Sequence, residues 1–399
     1  MEPEHGGGSP HAREQNVSQS SGKNSEEPFK VLIVGGGVAG LEGALALRDL
    51  AGERVSVTML DPEPEFVYRP MSVREPFAYG RVRRYPLSEI AADIGVTLLE
   101  ESFGWVNVAA RVAYADGGEQ IAYDALLLAL GARAHTRYAH AHTIDDRHLD
   151  DILHGLIQDV EGGYVTRLAF VVPGRMAWLL PIYELALMTV GRAYEMDVGL
   201  SVTIVTPEES PLAIFGVGAT QAVSGLLGES GIKVITSAYA EVPQWNTVVI
   251  NPGDRRLEVD RVVALPELFG PAVRGLPAAE HGFIPTDVHA QVRGVERVYG
   301  AGDATDFAIK HGGIAAQQAD AAAEAIAAIA GAPIEPQPFH PTIYGMLLTG
   351  GRPRYLRARI TGGHGFSSEV SEEPISSPPR KIAARYLAPY LERRESQCA

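Results

Sequence analysis

The residues whose types and spacing promise chemistry are glycines and acids. Gly35, Gly37 and Gly40 stand in G-x-G-x-x-G order inside "KVLIVGGGVAGLEGALALRDL". Glycine at those places permits a tight turn and lets main-chain N–H groups, with those of Val38 and Ala39, approach a pyrophosphate at a helix N-terminus. Asp61 lies 21 residues past Gly40, where an acid accepts hydrogen bonds from an adenosine ribose. Together they specify a dinucleotide site without saying which dinucleotide. A second glycine–acid turn, Gly300, Gly302 and Asp303, sits in "RVYGAGDATDFAIKHGGIAAQQ", ahead of an alanine-rich run.

These residues need elements to hold them. Lys30 to Val34 is a short apolar strand, and Leu41 to Leu50 has helical periodicity. "RVSVTMLDPEPEF" reads as a strand ending at Asp61. Arg297 to Tyr299 is a short strand, and a helix begins near Gly313. Between the two groups, "GWVNVAARVAYADGGEQIAYDALLLALGARA" reads as a β-meander, then Tyr123-Asp124, then a buried strand to Gly131.

In this order the motifs resemble the two-dinucleotide-binding-domain flavoproteins, the pyridine nucleotide–disulfide oxidoreductase superfamily. The Tyr123-to-Gly131 segment is similar to the family's "YD-x-L-x-x-A-T-G", with Leu130 in place of the threonine. The resemblance implies FAD held by Gly35, Gly37, Val38, Ala39, Gly40, Asp61, Arg69 and Gly131. It assigns Gly302 and Asp303 to the ribityl and phosphate region. Gly313 and Ile314 would face the flavin pyrimidine ring, where the helix dipole favours negative charge on the reduced ring. Lys310 is the candidate catalytic residue, as a cation that stabilises the reduced flavin.

A second domain follows. "GLSVTIVTPEES", from Gly199, repeats the pattern of "RVSVTMLDPEPE", so that Thr206 falls where Asp61 stands. Its candidate nucleotide loop, "VVPGRMAWLLPIYELAL", offers only Gly174, and Pro173 and Pro181 remove backbone donors. NAD(P)H binding is therefore possible but not favoured. "PIYELALM", "FVYRPMSV" and "IKHGG" are similar to the sulfide:quinone oxidoreductase branch and the neighbouring type II NADH dehydrogenases. Sulfide oxidation in that branch runs through a cysteine pair, whereas this chain has one cysteine, Cys398.

Composition bounds the rest. With 399 residues and 46% hydrophobic content, the chain has length for two domains and a sizeable core. A net charge of −15 argues against nucleic acid. The single cysteine excludes a disulfide framework or a cysteine-ligated metal, and no metal is expected. Residues 1–28 read as a disordered tail without a signal-peptide core. Leu168 to Val190 is apolar, but Arg175 and Glu184 would each cost roughly 2.5–3.5 kcal/mol at a membrane helix centre, so a buried strand and helix are expected there. The location expected is cytoplasmic, with peripheral membrane contact possible.

His135, His140, His142, His148 and His154, with Asp145, Asp146, Asp150 and Asp151, form a polar segment whose spacing matches no metal-ligand rule. It reads as a hydrated connection with a helix over Leu149 to Val160. Trp178 and Tyr183 are candidates for the second flavin face or for aromatic core. "TIYGMLLTGGRPRYLRARI" reads as a hairpin around Gly350-Gly351. Ile382, Tyr386 and Tyr390 recur at helical spacing in a basic segment shortened by Pro389, expected to pack onto the protein.

The fold expected is α/β: two Rossmann-like three-layer dinucleotide-binding domains, the first discontinuous, plus a short C-terminal region. The spans are 29–150 with 276–330 for FAD, 151–275 for the degenerate second domain, and 331–399 for the C-terminal region. The function implied is an FAD-dependent oxidoreductase with a small-molecule electron donor and a quinone-like acceptor. The alternatives are an NAD(P)H dehydrogenase using the second domain, and a flavin-binding sensor or assembly subunit.

Overall fold

A computed structural model describes residues 27–145, 147–174, 178–361 and 364–398. The tail expected over 1–28 lies, except for its last two residues, outside the described residues, as do Asp146 and Arg175.

The first sheet is fully parallel. Its strands run in the order Thr97–Leu99, Val55–Leu60, Phe29–Val34, Ala125–Leu128, Val298–Gly300. Val31 to Val34 and Ala125 to Leu128 are each at most 2% exposed, the continuous burial of strands covered on both faces. One face carries the helices Val38–Leu50 and Gly312–Ile329. Gly43 lets them close on the sheet: a Cβ there would lie 2.7 Å from Leu127 Cδ2 and 3.8 Å from Ala319 Cβ. The opposite face is covered by the meander Phe103–Asn107, Val112–Ala115, Gln120–Ala122, through Val106 and Ala113 on Leu32, Val34, Leu126 and Leu128.

The second sheet repeats this plan. Its parallel order is His142–Thr143, Arg261–Ala264, Arg167–Val171, Ser201–Val205, Lys233–Ile235. It too carries a meander, Tyr239–Gln244, Thr247–Asn251, Arg255–Glu258. The strand pairs Phe29–Val34 with Val55–Leu60 and Arg167–Val171 with Ser201–Val205 correspond, and Asp61 and Thr206 each follow the second strand of their pair. The repeat read from sequence is thus a repeat of topology.

His142–Thr143 falls inside the span 29–150, yet it pairs with Arg261–Ala264 in the second sheet. The chain crosses earlier, where Arg133–His135 pairs antiparallel with Glu267–Phe269. The outgoing and returning connections therefore hold each other. We propose the domain division at these paired strands.

The expected hairpin is present, as Thr342–Leu347 with Arg354–Thr361, and His364–Ser371 adds a third strand. This small sheet packs on the second domain, where a Cβ at Gly345 would lie 2.8 Å from Phe215 Cζ. The final helix, Leu387–Cys398, returns to the first domain. Pro389 lies in its first turn, where a missing N–H costs little, and so does not shorten it as the sequence suggests. Ile382 and Tyr386 precede the helix, while Tyr390 lies in it; Ile382 and Tyr390 are buried, 2% and 4% exposed. The basic segment is packing surface, as expected. Among the described residues no helix is long and apolar enough to cross a membrane.

Candidate functional site

The glycine loop has the close approaches its spacing predicts. Gly35 has φ +105°, and a Cβ there would lie 2.4 Å from the Ala129 carbonyl oxygen. A Cβ on Gly40 would lie 1.8 Å from the Gly35 carbonyl oxygen, so any side chain would force the turn off the helix. Gly37 differs. It is the N-cap of the helix Val38–Leu50, no side chain caps that end, and a Cβ there would meet nothing within 4 Å. The open space lies where a phosphate would receive the unpaired N–H groups of the first turn, those of Val38 and Ala39 included.

Asp61 stands beside this loop. Its Oδ2 accepts the Gly36 N–H at 2.5 Å and its Oδ1 accepts the Glu63 N–H at 2.7 Å. The carboxylate is thereby fixed against the glycine turn. Gly131, three residues past the strand Ala125–Leu128, has φ +70°, and a Cβ there would meet nothing within 4 Å. Arg69 begins the 3-10 segment Arg69–Phe77 and is half-buried.

Across the strand ends, Gly302 to Ala304 forms a single 3-10 turn. Gly302 has φ +76°, and a Cβ there would lie 3.2 Å from Ala315 Cβ and 3.5 Å from Ala39 Cβ, between the two helices of the first domain. Asp303 is half-buried. Lys310 is 7% exposed. Its Nζ donates to the Thr305 carbonyl and lies 4.0 Å from the centre of the Phe283 ring. Burial lowers the ammonium's pKa to about 8, against the opposing pull of Asp303 and Asp306. Its charge therefore acts beside the Asp303 turn.

The helix start expected to face a flavin is Gly312–Ile314, and its surroundings were not legible in sequence. His311 caps it, Nδ1 accepting the Gly313 N–H at 3.2 Å. The imidazole packs against Trp178 at a tilt of 42°, with ring centres 4.4 Å apart. Burial, then the charge of Lys381, depresses its pKa to about 4, so it is neutral at pH 7. The C-terminal segment lies across the same end: a Cβ on Gly312 would come 2.9 Å from the Ile382 side chain. Lys381 in turn forms a buried ion pair with Glu184. Ile314 is buried, 1% exposed.

In the second domain, residues of the same domain crowd Gly174 and engage Thr206. The Tyr239 ring lies over Gly174, 3.2 Å from where its Cβ would be. Tyr183 is not on a cofactor face; it is fully buried, and its hydroxyl donates to Glu208. Thr206 Oγ1 donates to the same carboxylate oxygen at 3.2 Å. Burial pushes the Glu208 carboxyl pKa upward. Glu208, the first acid past the place equivalent to Asp61, is thus spent on internal contacts.

The histidine-rich segment does not converge. His140 and His142 flank Trp245, each with ring centres 5.8 Å from it. Among the described residues no group of three or more His, Cys, Asp or Glu could hold a metal ion.

The donor set of the first domain fits FAD at its pyrophosphate and ribose end: open space at Gly37 and Gly131, helical N–H groups, and a fixed carboxylate at Asp61. Residues 29–160 match the family model described as pyridine nucleotide-disulphide oxidoreductase. Among solved structures, the chain is similar to the sulfide:quinone oxidoreductase of Aquifex aeolicus, with a TM-score of 0.75 at 17% identity over 86% of this chain and 87% of that one. A ferredoxin reductase from Rhodopseudomonas palustris gives 0.63 at 18% identity, over 84% and 83%. A chain in the mitochondrial ATP synthase of Tetrahymena thermophila gives 0.65 at 14% identity, over 86% and 89%. At these identities the likeness is one of fold.

Proposed function

We propose that this chain, whose residues 29–160 match the pyridine nucleotide-disulphide oxidoreductase family model, belongs to that superfamily and passes two electrons through FAD to a quinone-like acceptor. The observation that carries the flavin assignment is the pairing of the open Gly37 N-cap with a carboxylate already fixed beside it at Asp61. Bound FAD would supply reversible two-electron chemistry. The residues of the chain do the rest. Gly35, Gly37, Val38, Ala39 and Gly40 receive the pyrophosphate, Asp61 the ribose, and Asp303 the ribityl chain. Arg69 and Gly131 border the ring, and Gly313 and Ile314 present a helix N-terminus to its pyrimidine side. Lys310 adds positive charge close to Asp303.

The acceptor reading is supported by the sulfide:quinone oxidoreductase likeness. The donor is unidentified; the single cysteine argues against sulfide oxidation by the cysteine-pair route of that branch. NADH and NADPH are poor donors in this reading, because Tyr239 covers Gly174 and Glu208 is held by Tyr183. A second reading, an assembly subunit with little turnover, is favoured by the fold it shares with a chain of an ATP synthase.

Anaerobic titration of the purified yellow protein separates them. Slow bleaching by NADH and NADPH supports the first reading, and rapid bleaching by either overturns it in favour of an NAD(P)H dehydrogenase. Flavin that neither accepts electrons from any donor nor passes them on supports the assembly reading.

A further inference from the structure

The buried amide of Gln318, on the second turn of the helix Gly312–Ile329, has an internal task that the flavin-binding motifs do not include. Gln318 is 3% exposed and Thr305 is fully buried. Gln318 Oε1 accepts the Gly302 N–H at 2.8 Å. The Gly302 carbonyl accepts from Thr305 Oγ1 at 2.9 Å, and Gln318 Nε2 donates to that same hydroxyl at 3.3 Å. Both main-chain polar atoms of Gly302 are thus held by side chains that also bond to each other. A third tie, from Lys310 Nζ to the Thr305 carbonyl, closes the far side of the turn.

We propose that Gln318 is a positioning residue for FAD: with Thr305 it fixes the Gly302–Ala304 turn so that the Asp303 carboxylate is preset for the cofactor. The inference rests on the flavin reading given above. Its chemistry is specific to an amide. The site needs an acceptor for Gly302 N–H and a donor for Thr305 Oγ1, one from each end of a single side chain. A carboxylate lacks the donor, and a thioether of similar length lacks both strong groups. Gly302 cannot hold the conformation through a side chain of its own, because its φ of +76° and its neighbours Ala315 and Ala39 exclude one. The turn's order must come from partners: the Thr305 N–H, which donates to the Gly302 carbonyl at 3.1 Å, and these two side chains. A preordered turn binds its ligand more tightly because less freedom is lost on binding.

The test uses the flavin-loaded protein and the variants Gln318→Met, Thr305→Val and Thr305→Ser, with three readouts: flavin release rate on dilution, flavin midpoint potential, and thermal midpoint. Gln318→Met and Thr305→Val should release flavin roughly ten- to a hundredfold faster, the scale of losing a buried hydrogen-bonded partner, and shift the midpoint potential. Thr305→Ser, which keeps the hydroxyl, should restore wild-type release to within about twofold on the same reasoning. A lower thermal midpoint with unchanged release and potential in both disruptive variants would show a merely structural contact and overturn the proposal. If Gln318→Met fails to fold, Thr305→Val against Thr305→Ser decides alone, since equal release from the two overturns it. Wild-type protein that binds no FAD would overturn the flavin reading itself, and this inference with it, a result distinct from unaltered variants.

Discussion

Lys381 Nζ lies 2.7 Å from the Glu184 carboxylate, and the two side chains are 6% and 0% exposed. The pair fastens the C-terminal segment to the helix Leu180–Glu195, which follows the second-sheet strand Arg167–Val171. Glu184 also accepts the Leu348 N–H at 2.9 Å, so three parts of the chain meet on one carboxylate. Removing one partner of a buried pair leaves an uncompensated charge, at a cost of about 3–5 kcal/mol. Lys381→Met should therefore lower unfolding stability by about that amount. Adding Glu184→Gln, which keeps the acceptor for Leu348, should recover more than half of the loss. Denaturant unfolding of the single and double variants checks this, and a double variant as unstable as the single would refute the ion-pair account.

His311 makes stability depend on pH in a defined window. Its folded pKa, about 4, lies below the ordinary 6.5. The unfolded chain therefore binds the extra proton first as pH falls. The stabilisation is complete above pH 6.5 and is lost as pH falls from there toward 4, on the order of 3 kcal/mol in all. His311→Gln, which keeps an acceptor for Gly313, should flatten that slope. Unfolding free energies at pH 7 and pH 5 for both proteins test it; equal pH dependence would remove His311 as the cause.

The glycine loop offers a pair of substitutions with opposite signatures. Gly37→Ala meets no neighbour within 4 Å, so flavin-free stability should change by less than about 1 kcal/mol, as for an exposed position. FAD affinity should fall tenfold or more, roughly the effect of one displaced phosphate contact. Gly40→Ala would put its Cβ 1.8 Å from the Gly35 oxygen and should lose both stability and flavin. Calorimetry beside flavin content reads the difference. Undiminished FAD binding by Gly37→Ala would show that the open N-cap is not the phosphate site.

The first domain was legible because its chemistry and its packing use the same residues. Glycines at 35 and 40 are demanded by backbone approach, Gly37 leaves the helix start open, and the strands around them are buried on both faces, so the motif and the packing pattern coincide. The internal repeat was legible for the same reason: alternate apolar positions in Val55–Leu60 and Ser201–Val205 serve identical places in two sheets. What stayed hidden depends on distant partners. Nothing near Lys310 in sequence shows that its ammonium reaches the Phe283 ring. Nothing near Tyr183 shows that its hydroxyl meets Glu208, 25 residues on. The two-residue strand His142–Thr143 is too short for any periodicity, and only its parallel pairing with Arg261–Ala264 assigns it.

The second domain should resist repair as a nucleotide site. Thr206→Asp restores an acid at the place equivalent to Asp61, yet Tyr239 still covers Gly174. The single variant should bind NADH no better than wild type, while Thr206→Asp with Tyr239→Ala should improve binding by a few-fold, on the order of 1 kcal/mol. Isothermal titration of both settles the order of causes. Tight wild-type binding, with a Kd in the low micromolar range worth roughly 8 kcal/mol, would contradict the account of a closed site.

The central claim is that FAD in the first domain delivers electron pairs to a quinone-like acceptor. Stopped-flow mixing of the anaerobically photoreduced protein with a short-chain ubiquinone analogue tests it most directly, following the visible absorbance of the oxidised flavin. The account predicts one flavin per chain and prompt, complete return of the oxidised spectrum, saturating with quinone concentration. A chain that carries no flavin, or a reduced flavin that the quinone leaves bleached, would contradict it.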